Sequence, residues 1–182
     1  RVVRQASKET GKQVRLDITG GSIEMDRGIL DRMTPAFEHL LRNCVVHGIE
    51  TQAVRSARSK DAAGLISIDV QQSGNDVAVE FRDDGAGLNL PRIRERALQQ
   101  GLITPNQVLS DAEVANLIFS SGFSTATEVT ELAGRGVGMD VVRTEVQALG
   151  GRIETHTREG QGSSFRLVLP LTTAVSHVVM LR

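Results

Sequence analysis

The sequence has 182 residues and a formal net charge of −1, with 40% apolar and 24% charged residues, enough chain to bury the core of one ordinary domain and too near neutrality to favour nucleic acid or an anionic membrane. Aromatic residues make up 3%, with no Trp and no Tyr, so the stacking rings of a single-stranded nucleic-acid reader are missing, and no apolar run reaches the ~18 residues of a membrane span. The one cysteine, Cys44, rules out an internal disulfide and fits a reducing, cytoplasmic compartment.

Lys12 to Thr19 alternates, with Val14, Leu16 and Ile18 on one face and Arg15 and Asp17 on the other, which predicts a half-buried strand ended by Gly20-Gly21. Asp26 to Arg32 reads as a short helical stretch. Pro35 then restarts or kinks the helix, which runs to Val46 or His47 and stops at Gly48. Leu65 to Val70 and Val77 to Arg82 are predicted strands, joined by a hairpin turn over Gln72 to Asp76. Pro91 to Gln100 is a predicted helix ended by Gly101. Ser110, with Glu113 three residues on, forms a capping box that starts another. Ser120 to Arg135, rich in Ser, Thr and Gly, reads as a mobile loop. Val137 to Leu149 is a predicted helix closed by Gly150-Gly151, and Arg152 to Arg158 and Ser163 to Leu169 are a last pair of strands. This order predicts a two-layer α/β sandwich, with a mixed, mostly antiparallel sheet and the helices on one face. Pro170 marks a boundary. Residues 1–170 are expected to form one domain, and 171–182 carry the apolar pattern of a new strand. The sequence opens at Arg1 without Met and stops abruptly, which predicts a piece of a longer chain.

Three segments carry chemistry. On the helix after Pro35, Phe37, Leu40, Leu41, Cys44 and Val45 form an apolar face, while His39, Asn43 and His47 recur every four residues on one polar stripe. A solvated helix face accounts for such a stripe too, but Glu and Lys favour a helix better than Asn and His do. Asn and His suit a hard cation and the phosphate oxygens beside it. Asp83 continues the inward row of Val77, Val79 and Phe81, and a carboxylate there needs a partner. Gly85 and Gly87 follow at once and let a planar ligand approach the backbone. Asp83 can accept a hydrogen bond from the exocyclic amine of adenine, where guanine presents an acceptor, so ATP is expected to be preferred over GTP. A hairpin turn also uses Asp-Gly. Finally, Gly134, Gly136, Val137 and Gly138 lead into a helix, and glycine-rich backbone at a helix N-terminus is an anion site. No strand precedes it and no Gly-Lys-Ser/Thr follows, so it is neither a dinucleotide fingerprint nor a P-loop.

Taken in order, these segments resemble the ATP-binding catalytic domain of CheA-type chemotaxis histidine kinases. His39-Leu40-Leu41-Arg42-Asn43 with His47-Gly48-Ile49-Glu50 is similar to the asparagine box. Asp83-Asp84-Gly85-Ala86-Gly87 resembles the first glycine box, Phe119 to Thr125 the phenylalanine box, Gly134 to Val142 the second glycine box, and Gly162-Ser163 the last. The resemblance implies the ATP-binding fold shared by gyrase, Hsp90, histidine kinases and MutL. It implies Mg2+ on Asn43, and His39 and His47 beside the phosphates as catalytic residues. It further implies that Asp83 reads adenine, that Gly87 and Ile93 line the base pocket, and that Arg92 and Arg96 meet the phosphates. Ser124, Gly134, Gly136, Val137 and Gly138 would belong to the lid and phosphate cradle, and Ser163 would sit near the adenine. Beyond Pro170 the family has a regulatory domain that binds a coupling protein. One departure stands out: the family places Asp immediately before the second His of the asparagine box, where this chain has Val46.

The implied reaction moves the γ-phosphoryl group of ATP to a histidine, by positioning and charge neutralisation. The segment from Leu88 to Arg135 is expected to close over the nucleotide. The acceptor histidine is expected on a separate phosphotransfer domain of the parent chain, since His156 and His177 read as structural. Through the neighbouring domain, the implied partners are a coupling protein and receptors, which would bring a cytoplasmic protein to the membrane, and indirectly a response regulator. No nucleic-acid partner is expected, and the isolated piece is expected to be monomeric. Two other readings remain. Val46 supports a nucleotide-binding or scaffolding module with weakened catalysis. A hydrolase of the same fold would need a Glu four residues before Asn43 as general base for water, where this chain has His39, with Glu38 one residue off.

Overall fold

A computed structural model describes residues 2–20, 27–120, 123 and 139–170. The chain opens with helix α1 (Val2–Thr10) and strand β1 (Gln13–Thr19). Helix α2 (Arg27–Asn43) continues through a π turn at Cys44–Gly48, and a short α3 (Gln52–Ala57) precedes the hairpin β2 (Ala63–Ser73) and β3 (Asp76–Asp83). After it come α4 (Leu90–Gln99), α5 (Asp111–Asn116) with a 3-10 turn at Leu117–Phe119, α6 (Met139–Ala148), and the hairpin β4 (Arg152–Arg158) and β5 (Gly162–Pro170). The five strands lie in the order β1-β2-β3-β5-β4. Only β1 and β2 run parallel, and the other three pairings are antiparallel. This is the predicted mixed, mostly antiparallel sheet.

The core lies between the sheet and its helices. The inward row Val77, Val79 and Phe81 of β3 meets Phe165, Leu167 and Leu169 of β5, and Ile29, Met33, Ala36 and Leu40 of α2 close over them. Phe37 tilts against Phe81 with centroids 5.4 Å apart, and Phe119 meets Phe165 edge to face at 5.9 Å. Each such buried side chain contributes about 1.5–3 kcal/mol over an exposed one. Between α2 and α6, Arg32 Nε donates to Glu145 Oε1 at 2.7 Å.

The structure departs from the local expectations in some places and adds to them in others. The helix does not break at Pro35; Arg27–Asn43 is continuous, with Pro35 inside it. Proline removes the bond to the carbonyl of Asp31, but Asp31 and Pro35 are both exposed, so water can satisfy that carbonyl. The end of α2 widens into a π turn, in which the Ile49 amide donates to the Cys44 carbonyl at 2.8 Å. Strand β1 is less buried than its alternation predicts: Leu16 is 38% and Ile18 60% exposed, because β1 is an edge strand. Helix α3 was not anticipated. Its six residues carry no long apolar period, yet Thr51 caps it by accepting from the Val54 amide. The Ser110 capping box forms with both of its hydrogen bonds. The predicted loop over Ser120 to Arg135 lies almost wholly outside the described residues, as does the 171–182 segment.

Candidate nucleotide site

Asp83 ends β3 in the middle of the sheet, paired with Ile66 of β2 on one side and Ser163 of β5 on the other. The residue is 4% exposed. Its Oδ1 accepts from the Gly85 amide at 2.9 Å. Burial pushes its carboxyl up to about 6 from an ordinary 3.8, against the amides of Gly85 and Ser163 and the Cys44 thiol, which favour the ionised form. In return, burial and the facing Asp83 carboxylate push the Cys44 thiol well up, so Cys44 stays a neutral donor.

Two glycines let the π turn and the β3 loop approach this closely. A Cβ on Gly48 would lie 2.9 Å from Asp83 Oδ2, and one on Gly85 would lie 1.9 Å from the Gly48 carbonyl oxygen. In their place the Ala86 amide donates to the Gly48 carbonyl at 2.9 Å. Gly87 has φ +81°, which favours glycine, and a Cβ there would sit 2.6 Å from the Arg158 carbonyl oxygen. Asp84 faces away from Asp83, and its Oδ1 accepts from the Leu65 amide at 2.9 Å.

Asn43 and His47 from the end of α2, Gly87 after β3, and Arg92, Ile93 and Arg96 of α4 line one cavity of about 430 Å3. The polar stripe and the first glycine box therefore meet across a single space, although the π turn separates Asn43 from His47. Leu88, Ile118, Phe123 and Met139 supply its apolar wall, with the Arg96 guanidinium 5.9 Å from the Phe123 ring centroid. The sequence assigns none of these four a role, although Phe123 falls within the phenylalanine box and Met139 within the second glycine box. Asp83 and Ser163 line a neighbouring cavity of about 730 Å3, with Thr155 and Thr157. Thr157 joins the two spaces: its hydroxyl accepts from the Leu88 amide at 2.7 Å and lies 3.1 Å from Ser163 Oγ. His39 and Gly85 line neither cavity. Ser124, Gly134, Gly136, Val137 and Gly138 fall outside the described residues.

Val46 does not line the 430 Å3 cavity. Its carbonyl and that of Val45 accept from Lys12 Nζ at 2.9 and 3.0 Å. Among the described residues no group of three or more His, Cys, Asp and Glu side chains could hold a metal ion. Around the 430 Å3 cavity the side-chain oxygen donors are Asn43 and Asn89, the latter engaged in capping α4, with no carboxylate, a set that fits a hard cation whose other ligands are phosphate and water.

Three charged residues, of which only Glu50 falls within a quoted motif, take no role from the sequence. Glu50, Arg55 and Lys60 converge on the turn after Asp83. Their five-residue spacing matches neither the helical nor the strand period, so no pattern announces their meeting.

A sheet of this order, with a buried Asp at the end of its central strand and an Asn-bearing helix end across a glycine-rich turn, defines a class of ATP-binding domain. Residues 28–173 match the family described as histidine kinase-, DNA gyrase B-, and HSP90-like ATPase, and the chain belongs to that family. Among curated proteins it is similar to the chemotaxis protein CheA of Rhizobium meliloti, at 44% identity over 175 residues covering 96% of this chain and 23% of the relative. It is also similar to the chemotaxis protein CheA of Bacillus subtilis, at 41% over 184 residues covering 100% of this chain and 27% of the relative. The chain thus spans about a quarter of the length of these relatives. A solved histidine kinase domain from the Erythrobacter litoralis EL346 blue-light activated histidine kinase shares the fold, with TM-score 0.53 at 16% identity, covering 93% of this chain and 61% of that one. No described helix is long and apolar enough to cross a membrane.

Proposed function

We propose that this chain is the catalytic domain of a CheA-type protein-histidine kinase, which binds Mg-ATP and passes its γ-phosphoryl group to a histidine on a separate acceptor domain. The observation that carries the reading is the Asp83 carboxylate, buried at the end of β3 with its orientation set by the Gly85 amide. It is matched to the exocyclic amine of adenine and mismatched to guanine. Asn43, His47, Arg92 and Arg96 around the adjoining cavity are the polar groups a triphosphate needs, and Ile93, Leu88 and Met139 offer the base an apolar wall.

In this reading Asn43 supplies a protein ligand to Mg2+ and His47 lies beside the phosphates, while His39, which lines neither cavity, stands one turn further back on the same stripe. When bound, Mg2+ neutralises charge that develops on the transferring group. An imidazole nitrogen of the acceptor attacks the γ-phosphorus, a P–N bond forms, the bond to the bridging oxygen breaks, and ADP departs. Gly134, Gly136, Val137, Gly138 and Ser124 form the cradle and lid, and Ser163 supports the base side. The segment beyond Pro170 begins the domain that meets a coupling protein, and through it receptors at the membrane.

Calorimetric titration with Mg-ATP and Mg-GTP tests the reading. Saturable ATP binding, weak GTP binding, and a loss of about a hundredfold or more in Asp83→Asn are expected, since the variant presents an amide to the amine and leaves a buried group unpaired. A folded wild-type chain that binds no ATP sinks it. A second reading, a nucleotide-binding module with weakened transfer, rests on Val46. Normal ATP binding with no transfer to an added acceptor histidine domain would favour it. His39, standing where a hydrolase of this fold needs Glu, weighs against attack by water.

A further inference from the structure

The turn after Asp83 leaves its β ladder, so its carbonyls need other donors. Lys60 supplies the shorter bonds, beside a longer one from Arg55 Nη1 to the Asp84 carbonyl at 3.5 Å. Its Nζ donates to the Asp84 carbonyl at 3.0 Å, to the Gly85 carbonyl at 3.0 Å and to Glu50 Oε2 at 2.6 Å. All three protons of the ammonium are therefore engaged. Arg55, with its side chain 1% exposed, donates to Glu50 Oε1 at 2.8 Å, to Asp84 Oδ2 at 3.2 Å and to the Asp61 carbonyl at 2.6 Å. Glu50 stands between the two cations. Burial pushes its carboxyl up, but the Lys60 and Arg55 bonds outweigh burial and hold it below the usual carboxylate range.

The Gly85 residue connects this cluster to the nucleotide site. Its carbonyl is held by Lys60, and its amide donates to Asp83 Oδ1 at 2.9 Å. Ala86, next along, is pinned through its amide to the Gly48 carbonyl. Lys60 itself lines neither the 430 Å3 nor the 730 Å3 cavity. The Glu50–Arg55 bond by itself does not reach the Gly85 carbonyl, which Lys60 holds. What Lys60 adds is a grip on the turn that aims the Asp83 carboxylate.

We propose that Lys60 is a positioning residue of the nucleotide site: by fixing the backbone of Asp84 and Gly85 it sets the aim of Asp83, and with it the preference for adenine over guanine. This rests on the reading of Asp83 as the group that meets the adenine amine. Lys60→Met keeps much of the aliphatic stem and removes the three bonds; Lys60→Arg restores a cation. Mg-ATP binding is measured by calorimetry, Mg-GTP by competition, and melting temperature on the same samples. Lys60→Met is expected to weaken ATP about tenfold and to lower the ATP-to-GTP preference by a similar factor, because GTP does not use Asp83. Lys60→Arg is expected to recover most of both. A Lys60→Met chain that melts lower but keeps the wild-type ATP affinity and preference overturns the proposal, as does an equal loss for both nucleotides. A wild-type chain that binds no ATP removes the Asp83 reading first, which is a different result. If Lys60→Met does not fold, hydrogen exchange on the wild type without nucleotide decides. Protected Gly85 and Ala86 amides are expected, and exchange as fast as in an exposed loop overturns a preformed brace.

Discussion

Burial works against the ionised form of Asp83, while the adenine amine that the proposed function assigns to it would favour that form. With its carboxyl raised to about 6 from 3.8, the folded chain binds this proton more tightly than the unfolded chain does. Its contribution to folding is therefore fully present below about pH 3.8 and is lost as pH rises through about 6. The ionised site at neutral pH is thus held at some cost to stability. Without nucleotide, Asp83→Asn is expected to gain melting temperature relative to wild type between pH 4.5 and 7.5; a difference that stays flat across that range would contradict the raised pKa. Asp83 was legible because the inward period of β3 runs straight into it, and Gly85 and Gly87 mark the turn. The cluster of Glu50, Arg55 and Lys60 was not, because residues that meet through a π turn, a six-residue helix and a loop share no period.

At the scale of elements, the strands and their caps were the legible part. Alternation gave β2, β3, β4 and β5 to within a few residues, and a side-chain capping box gave α5. What was misread concerned context. Proline forbids a backbone bond locally, but a helix buried along Ile29, Met33, Ala36 and Leu40 gains more from continuing than the lost bond costs when the orphaned carbonyl faces water. Pro35→Ala restores that bond and is expected to stabilise the chain by up to the ~3 kcal/mol that an interior proline costs, read as a raised melting temperature. An unchanged or lower value would mean that the helix is bent to suit the proline. The edge position of β1 was equally invisible, since alternation tells which side chains share a face but not whether anything covers that face.

Among the described residues, the candidate phosphate-facing groups of α2 and α4 gather around one cavity, and His156 lies elsewhere. His156 is exposed on the edge strand β4 and lines the 730 Å3 space rather than the one shared by Asn43 and His47. Incubated alone with Mg-ATP labelled at the γ position, the chain is expected to bind nucleotide but gain no acid-labile label. Labelling should begin when an acceptor histidine domain is added. Label on the isolated chain would place the acceptor inside it. The fold class was readable in the sequence because the order of strands and helices leaves few ways to close a sheet. The joining of the polar stripe to the glycine turn was readable only through the resemblance, since the contact that makes it, Ala86 to Gly48, is between backbone atoms of residues 38 positions apart.

The grip of Lys12 on the carbonyls of Val45 and Val46 has a consequence for how such a sequence can change over time. The π turn is held there by its main chain, and a main chain offers the same carbonyls whatever side chain it bears. Position 46 is therefore a place where ancestry can exchange a carboxylate for an isopropyl group without unsettling the scaffold. The Lys12 grip is indifferent to that choice, which leaves the side chain at 46 to act on the chemistry beside His47.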